Sequence, residues 1–272
     1  MAIMAQKQSK DPDTFNTDIE RIKQFEYAKW HAYFEEAILG KGQEHETTLW
    51  WQASDQDSIE IVKSLFSSEQ SIDLLEAACG SGGTSFKLAE YMTLSSLTLL
   101  DLSTNALNFA KILEPVHLNG KVTYTEGDIT QLPFPDRIFH LTWNVGVIEH
   151  YPKPILLQIV KEMLRVTKRE GYVLLGIPNR RSVAVLKAWF LGTDFGRKYL
   201  PFAKGYRFDT EILYGNHELK NFLEENLNLS VDVAYAGNCL WVGAPDMLVR
   251  LTQKYFKQSS CSFLTFFVLK LK

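Results

Sequence analysis

The sequence predicts a doubly wound, Rossmann-like α/β fold. Its sheet is mostly parallel and seven-stranded, with an antiparallel C-terminal strand. Three observations carry this. From Ser71 onward the chain repeats strand, loop and helix. The strand segments are near-continuous apolar runs, as expected where helices cover both faces of a parallel sheet. A glycine-rich turn closes the first strand and opens a helix, Ala78-Cys79-Gly80-Ser81-Gly82-Gly83. N-terminal helices and an aromatic helical insertion are added to this core.

The elements follow in order. Asp18 to Leu39 has helical spacing, with Ile19, Ile22, Phe25 and Ala28 or Lys29 on one face, then Tyr33, Phe34, Ala37 and Ile38. Gly40 and Gly42 stop it. Trp50 and Trp51 fall in a linker, and Ser58 to Phe66 is a further helix. Strands are predicted at Ile72 to Ala77, Leu97 to Leu102, Val122 to Glu126, Ile138 to Val145 and Tyr172 to Ile177. Helices lie between them at Thr84 to Tyr91, Thr104 to Leu113 and Pro154 to Val166. Arg180 to Asn216 breaks the rhythm, with Trp189, Phe190, Phe195, Tyr199, Phe202, Tyr206 and Phe208 among Gly192, Gly196 and Gly205. An insertion of this size is usually a lid or binding segment. The core resumes with Glu218 to Leu227, Ser230 to Tyr235, Pro245 to Phe256 and a strand within Phe263 to Leu271. The units are then 1–66, an N-terminal helical cap; 67–179, the core; 180–216, the lid; and 217–272, the end of the core.

Composition narrows the function. The 272 residues are 46% hydrophobic and 22% charged, which excludes disorder, collagen and coiled coil. With 29 basic and 32 acidic residues the net charge is −3. Such a chain has no general electrostatic hold on nucleic acid or an anionic membrane, although a local basic patch stays open. Three scattered cysteines argue against a disulfide scaffold. The first residues lack an apolar signal core, and the Phe263–Leu271 run is about half of the roughly 20 residues a spanning helix needs. A soluble, cytoplasmic protein without membrane insertion or nucleic-acid partner is expected. The six histidines form no zinc spacing, so no metal site is expected.

The glycine turn carries the chemistry. Glycine permits positive φ and close backbone approach to a ligand, and a helix N-terminus favours an anionic group. Asp101, near the end of the next strand, stands where a doubly wound nucleotide site places a carboxylate for ribose hydroxyls. It could instead cap the following helix. A dinucleotide fingerprint fits worse, because Ser85 falls at its third glycine.

These residues resemble the class I S-adenosylmethionine-dependent methyltransferases. Leu75-Glu76-Ala77-Ala78-Cys79-Gly80-Ser81-Gly82 resembles their first motif and Leu99-Leu100-Asp101-Leu102-Ser103 their second. Glu126-Gly127-Asp128-Ile129, followed by Leu132-Pro133-Phe134-Pro135-Asp136, resembles the third, in a form most like the small-molecule branch. Trp143 to His150 resembles the fourth. Ala78 departs from the family pattern, which has glycine there.

The resemblance implies S-adenosyl-L-methionine as cofactor. Glu76 would orient its methionine amino group, and the Asn144 carbonyl would assist. Ala78, Gly80 and Gly82 would let the backbone approach, while Asp101 and Leu102 would meet the ribose. Asp128 and Ile129 would read the adenine. His150 and His217 are candidate general bases, with packing or capping as their alternatives. Trp30, Tyr33, Trp189 and Tyr206 would wall the substrate pocket. The expected acceptor is a small molecule, methylated at O or N; a carboxylate-bearing or peptide-derived acceptor stays open. A methyltransferase of a peptide or protein terminus and a non-catalytic cofactor-binding module are the other readings.

Overall fold

A computed structural model describes residues 12–40, 48–199 and 210–271. Two helices, α1 (Pro12–Ile38) and α2 (Leu49–Leu65), precede the alternating region. That region runs β1 (Ile72–Ala77), α3 (Gly83–Leu88), β2 (Leu94–Asp101), α4 (Thr104–Leu113), β3 (Val122–Glu126), β4 (Phe139–Val145), α5 (Lys153–Val166) and β5 (Thr167–Pro178). The insertion holds α6 (Val183–Gly192) and α7 (Asp194–Tyr199). The chain then continues with α8 (Asn216–Leu227), β6 (Val231–Ala236), α9 (Asp246–Phe256) and β7 (Leu264–Lys270).

The seven strands form one sheet in the order β3-β2-β1-β4-β5-β7-β6. β1 to β5 pair in parallel, and β7 runs antiparallel to both β5 and β6. The order reverses between β1 and β4, which creates a crevice at their carboxyl ends. The predicted fold class is therefore observed.

Neighbouring residues on each strand go to opposite faces. Leu74, Leu99, Leu141, Trp143, Leu174 and Phe266 enter a core with α2, α3, α4, α6 and α9. Leu75, Leu100, Val173, Leu175, Phe267 and Leu269 enter a second core with α5 and α8. This double burial explains why the strands read as unbroken apolar runs.

Two local expectations need correction. Trp50 and Trp51 are not in a linker: they lie in the first turn of α2, which starts nine residues before Ser58. Thr48 caps that turn, its side chain accepting from Trp51 N–H. Trp50 is 1% exposed, packs on Phe263 at 4.7 Å and donates to the Leu240 carbonyl at 2.7 Å, so it belongs to the core. Asp55 and Asp57 mask the helix in the sequence, yet both are bound: Asp55 to Thr84 and Lys87, Asp57 to Gln253 and the Gly237 N–H. The second is the expectation that Gly192, Gly196 and Gly205 serve as hinges: a Cβ on Gly196 would lie 2.4 Å from the Phe190 carbonyl oxygen, so this glycine is a packing residue that lets α7 sit on α6. Gly42, Phe202, Lys204, Gly205, Tyr206, Arg207 and Phe208 lie outside the described residues.

Leu141, fully buried on the central strand β4, sets a stability test. Leu141→Ala should cost about 2–5 kcal/mol in urea unfolding. Leu251→Ala, at a position 52% exposed, should stay within about 0.5 kcal/mol.

Candidate active site

Because β1 to β4 are parallel, their carboxyl ends share one edge, and the predicted residues collect there. After β1 the chain turns through Ala78, Gly80 and Gly82, at φ of 59°, 53° and 66°. A Cβ on Gly82 would come within 2.7 Å of Leu99 Cδ1, so both conformation and space require glycine there. Ala78 takes the left-handed conformation with a Cβ, at a cost of about 1–2 kcal/mol that glycine would not incur.

Asp101, the last residue of β2, fixes this turn. Its Oδ2 accepts the Gly80 N–H at 2.9 Å and its Oδ1 the Ser103 N–H at 2.8 Å. Burial lifts its pKa above the usual carboxylate range despite these donors. Ser103 performs the capping of α4, its hydroxyl accepting from Ala106 N–H. Asp101 is thus spared that role, and a carboxylate with two N–H donors keeps acceptor sites for further hydroxyls.

Glu76 lies one strand over and is 7% exposed. Its Oε2 accepts from the Ser85 hydroxyl at 2.6 Å, which in turn accepts from Trp143 Nε1 at 3.0 Å. Burial pushes its pKa up to about 8, with Asp101 and Asp55 adding to the rise. A cation beside it would reverse that rise. Asn144, on β4, is fully buried; its amide donates to the Ala77 carbonyl at 2.5 Å, while its Oδ1 has no partner. Asn144 therefore ties β4 to the start of the glycine turn.

Asp128 follows β3. Its Oδ1 accepts from the Thr130 N–H and hydroxyl at 2.7 and 2.8 Å. Its Oδ2 pairs with Lys23 of α1 at 2.7 Å. Burial acts to raise its pKa, but the Lys23 ammonium and the Thr130 donors outweigh burial and hold it below the usual range. An open cleft of about 700 Å³ adjoins this pair, lined by Glu20, Lys23, Pro154, Leu157 and Gln158 among others. Ile129 is buried beside it and Leu102 is half-buried after Asp101.

His150 follows β4 in a single 3-10 turn, Ile148–His150, and is 4% exposed. Thr210 donates to Glu26 Oε1 at 2.8 Å and sits 2.7 Å from His150 Nδ1. With the threonine proton directed at Glu26, His150 Nδ1 donates to Thr210. Glu26 also accepts from Trp30 Nε1 at 3.1 Å and lies 3.4 Å from His150 Nδ1. Beside it, Glu149 is buried with Oε2 unpartnered. Burial pushes its pKa up to about 8, with Glu211 and Glu26 adding to the rise.

α1 crosses this edge and supplies much of the site. Lys23 meets Asp128, Glu26 meets Thr210 and His150, and His31 Nδ1 lies 3.2 Å from the Ser103 hydroxyl. Phe34 packs against Gly80 and, at 5.9 Å, on Phe109 of α4. The inward stripe of α1 is thus Ile22 and Lys23, half-buried, with the buried Glu26, Phe34 and Ala37, whereas the predicted Phe25 and Ala28 face outward. Glu26 and Lys23 were not expected in the site. A carboxylate four residues after Ile22, on an otherwise apolar stripe, was the available signal.

Other expected residues are placed elsewhere. His217 is exposed in the first turn of α8, inside the helix and not ahead of it. Tyr33 is exposed, and Trp189 is 53% exposed on the outer face of α6. Tyr206 lies outside the described residues. Cys79 is buried, and burial pushes its thiol well up, consistent with packing. Among the described residues, no group of three or more His, Cys, Asp or Glu could hold a metal ion.

Residues 74–171 match a family model described as a methyltransferase domain. Over this stretch the chain is similar to methyltransferase domains. It is 28% identical over 183 residues to the mitochondrial ubiquinone biosynthesis O-methyltransferase of Candida albicans, covering 65% of this chain and 53% of that one. It is 33% identical over 101 residues to a fatty-acid O-methyltransferase of Mycolicibacterium smegmatis, covering 37% of this chain and 35% of that one. The chain thus spans about half the length of the first relative and about a third of the second. The fold is that of solved methyltransferases: magnesium protoporphyrin IX methyltransferase from Synechocystis, with bound SAH, aligns at TM-score 0.57 and 13% identity over 92% of this chain and 100% of that one.

The buried carboxyl of Glu149 makes the stability of this fold depend on pH. Its folded pKa lies above its unfolded one, so its stabilising contribution is present below about pH 4.5 and is lost as pH rises toward 8. Urea unfolding at pH 5.5 and 7.5 should show a smaller loss for Glu149→Gln than for the wild type. The difference should be at most about 1.4 kcal/mol per pH unit.

Proposed function

We propose that the protein is an S-adenosylmethionine-dependent methyltransferase acting on a small, largely apolar acceptor at O or N. The observation that carries the reading is the pairing of Asp101 with the Gly80 N–H beside the reversal of strand order. It places a carboxylate, a positive-φ turn and a helix N-terminus at one crevice. The acceptor class is supported by the relatives, named for ubiquinone and fatty-acid methylation.

The donor set fits the cofactor. Asp101 would take the ribose hydroxyls, Glu76 and the Asn144 carbonyl the methionine ammonium, and Asp128 with the Ile129 backbone the adenine. When bound, the cofactor supplies a methyl group already activated on a sulfonium. The chain then has to bind, orient and exclude water. Orientation alone could lower the barrier by about 7–11 kcal/mol. α1 is the element that covers the turn, through Phe34 on Gly80. His150 is the candidate base for the acceptor's proton, its ring oriented by Thr210 and Glu26. Trp30, hydrogen-bonded to Glu26, lies beside the histidine. The insertion around α6 and α7 closes with α1 as a lid.

Calorimetry with S-adenosylhomocysteine should give micromolar-range binding, and NADH should give none. Asp101→Ala should weaken that binding by roughly 1.5–3 kcal/mol for each charge-assisted bond lost. Binding should also release a proton near pH 7, read from buffers of different ionisation enthalpy, because an ammonium beside Glu76 lowers its pKa from about 8. Glu76→Gln should abolish the release. NADH binding without a response to S-adenosylhomocysteine would overturn the reading. His150→Ala should retain cofactor binding and lower kcat by ~10²–10⁴-fold.

A further inference from the structure

α6 is apolar on both of its faces. In its sequence, Val183-Ala-Val-Leu-Lys-Ala-Trp-Phe-Leu-Gly192, Lys187 is the one charged residue. Ala184, Val185, Ala188 and Leu191 are buried. The opposite face carries Val183, Leu186, Trp189 and Phe190, from 43% to 53% exposed. A surface helix in water places polar residues there. α7 extends the apolar face. The Phe195 ring lies 6.1 Å from Phe190 and 4.8 Å from Tyr199, and both Phe195 and Tyr199 are more than half exposed. A strip of aromatic rings therefore runs from α6 through α7.

The strip is set among basic residues. From Arg180 to Tyr199 the chain has five basic residues and one acidic one, in a protein whose net charge is −3. Arg181, Arg197 and Lys198 are exposed, and the Lys198 ammonium lies 5.1 Å from the Tyr199 ring centroid.

We propose that the α6–α7 face docks on the surface of an anionic lipid bilayer. Trp, Phe and Leu on one side with Arg and Lys around them is the composition of interfacial helices, which sink ~5–10 Å into the headgroup boundary. The rings enter that boundary, while the long basic side chains reach lipid phosphates. A second copy of this chain fits the face poorly, because a two-fold contact sets the same basic residues against themselves. The proposal stands on this face alone and does not require the methyl-transfer reading. Combined with that reading, it gives the crevice a supply of apolar acceptor, since α6 begins just beyond the carboxyl end of β5.

The test is co-sedimentation of the full-length protein with extruded vesicles. Equimolar phosphatidylglycerol and phosphatidylcholine vesicles should bind it, and pure phosphatidylcholine vesicles should bind at least tenfold less. Raising the salt to 0.5 M should weaken the binding. Trp189→Ser/Phe190→Ser and Arg181→Glu/Lys198→Glu should each lower the partition coefficient at least tenfold, with unchanged far-UV circular dichroism. These are exposed positions, and the charge-reversed variant leaves the apolar packing intact. Absence of binding to the anionic vesicles, equal binding to both lipids, or undiminished binding of either folded variant overturns the proposal.

Discussion

The carboxyl edge of the sheet gathers Glu76, Asp101, Asp128 and Glu149 into a crevice from which water is largely removed. Carboxylates withdrawn from water must be protonated, hydrogen-bonded or paired. The four meet this in three ways. Asp101 is held by backbone N–H groups and so shapes the glycine turn. Asp128 is paired with Lys23 and so recruits α1. Glu76 and Glu149 have neither solution and are raised to about 8. Two of the four thus build the edge, and two are left to respond to an incoming charge.

α1 follows from the same constraint. A helix laid over an acidic crevice must bring a cation or a hydrogen-bonding group wherever it meets a polar group. Lys23, His31 and Phe34 meet an aspartate, a serine and a glycine in turn. Glu26 is the apparent exception, a carboxylate added to an acidic place. Thr210 and Trp30 donate to it, and His150 stands 3.4 Å away. Its effect is directional: it takes the threonine proton, which fixes the imidazole tautomer. A mutation in α1 would therefore alter both the cover of the crevice and the orientation of the histidine beneath it.

Much of this was legible in the sequence. The strands were, because consecutive residues such as Leu74 and Leu75 enter opposite cores and leave unbroken apolar runs. The motif residues at the edge were, because their spacing is set by the strand–helix repeat. The start of α2 was not: Asp55 and Asp57 look like solvated loop residues until Lys87, Gln253 and Gly237 are brought to them. The buried stripe of α1 was misread for the same reason. Phe25 outranks Glu26 in hydrophobicity, but Glu26 has partners at Thr210 and His150, far along the chain, and Phe25 is left outside. Periodicity reports which residues avoid water. It cannot report polar residues whose partners are supplied by the tertiary fold.

Trp189 shows the same limit in the opposite direction. Aromatic richness in the insertion suggested a pocket wall, yet this ring is half exposed. Burying both faces of α6 would be favourable by roughly 1.5–3 kcal/mol for each large side chain. The fold leaves one face uncovered, in a segment that carries five basic residues. Replacing Trp189 and Phe190 by polar residues would cost the folded chain little, since neither lies in its core. The exposed pair is thus available to a surface outside this chain, and the positive charge beside it favours an anionic one.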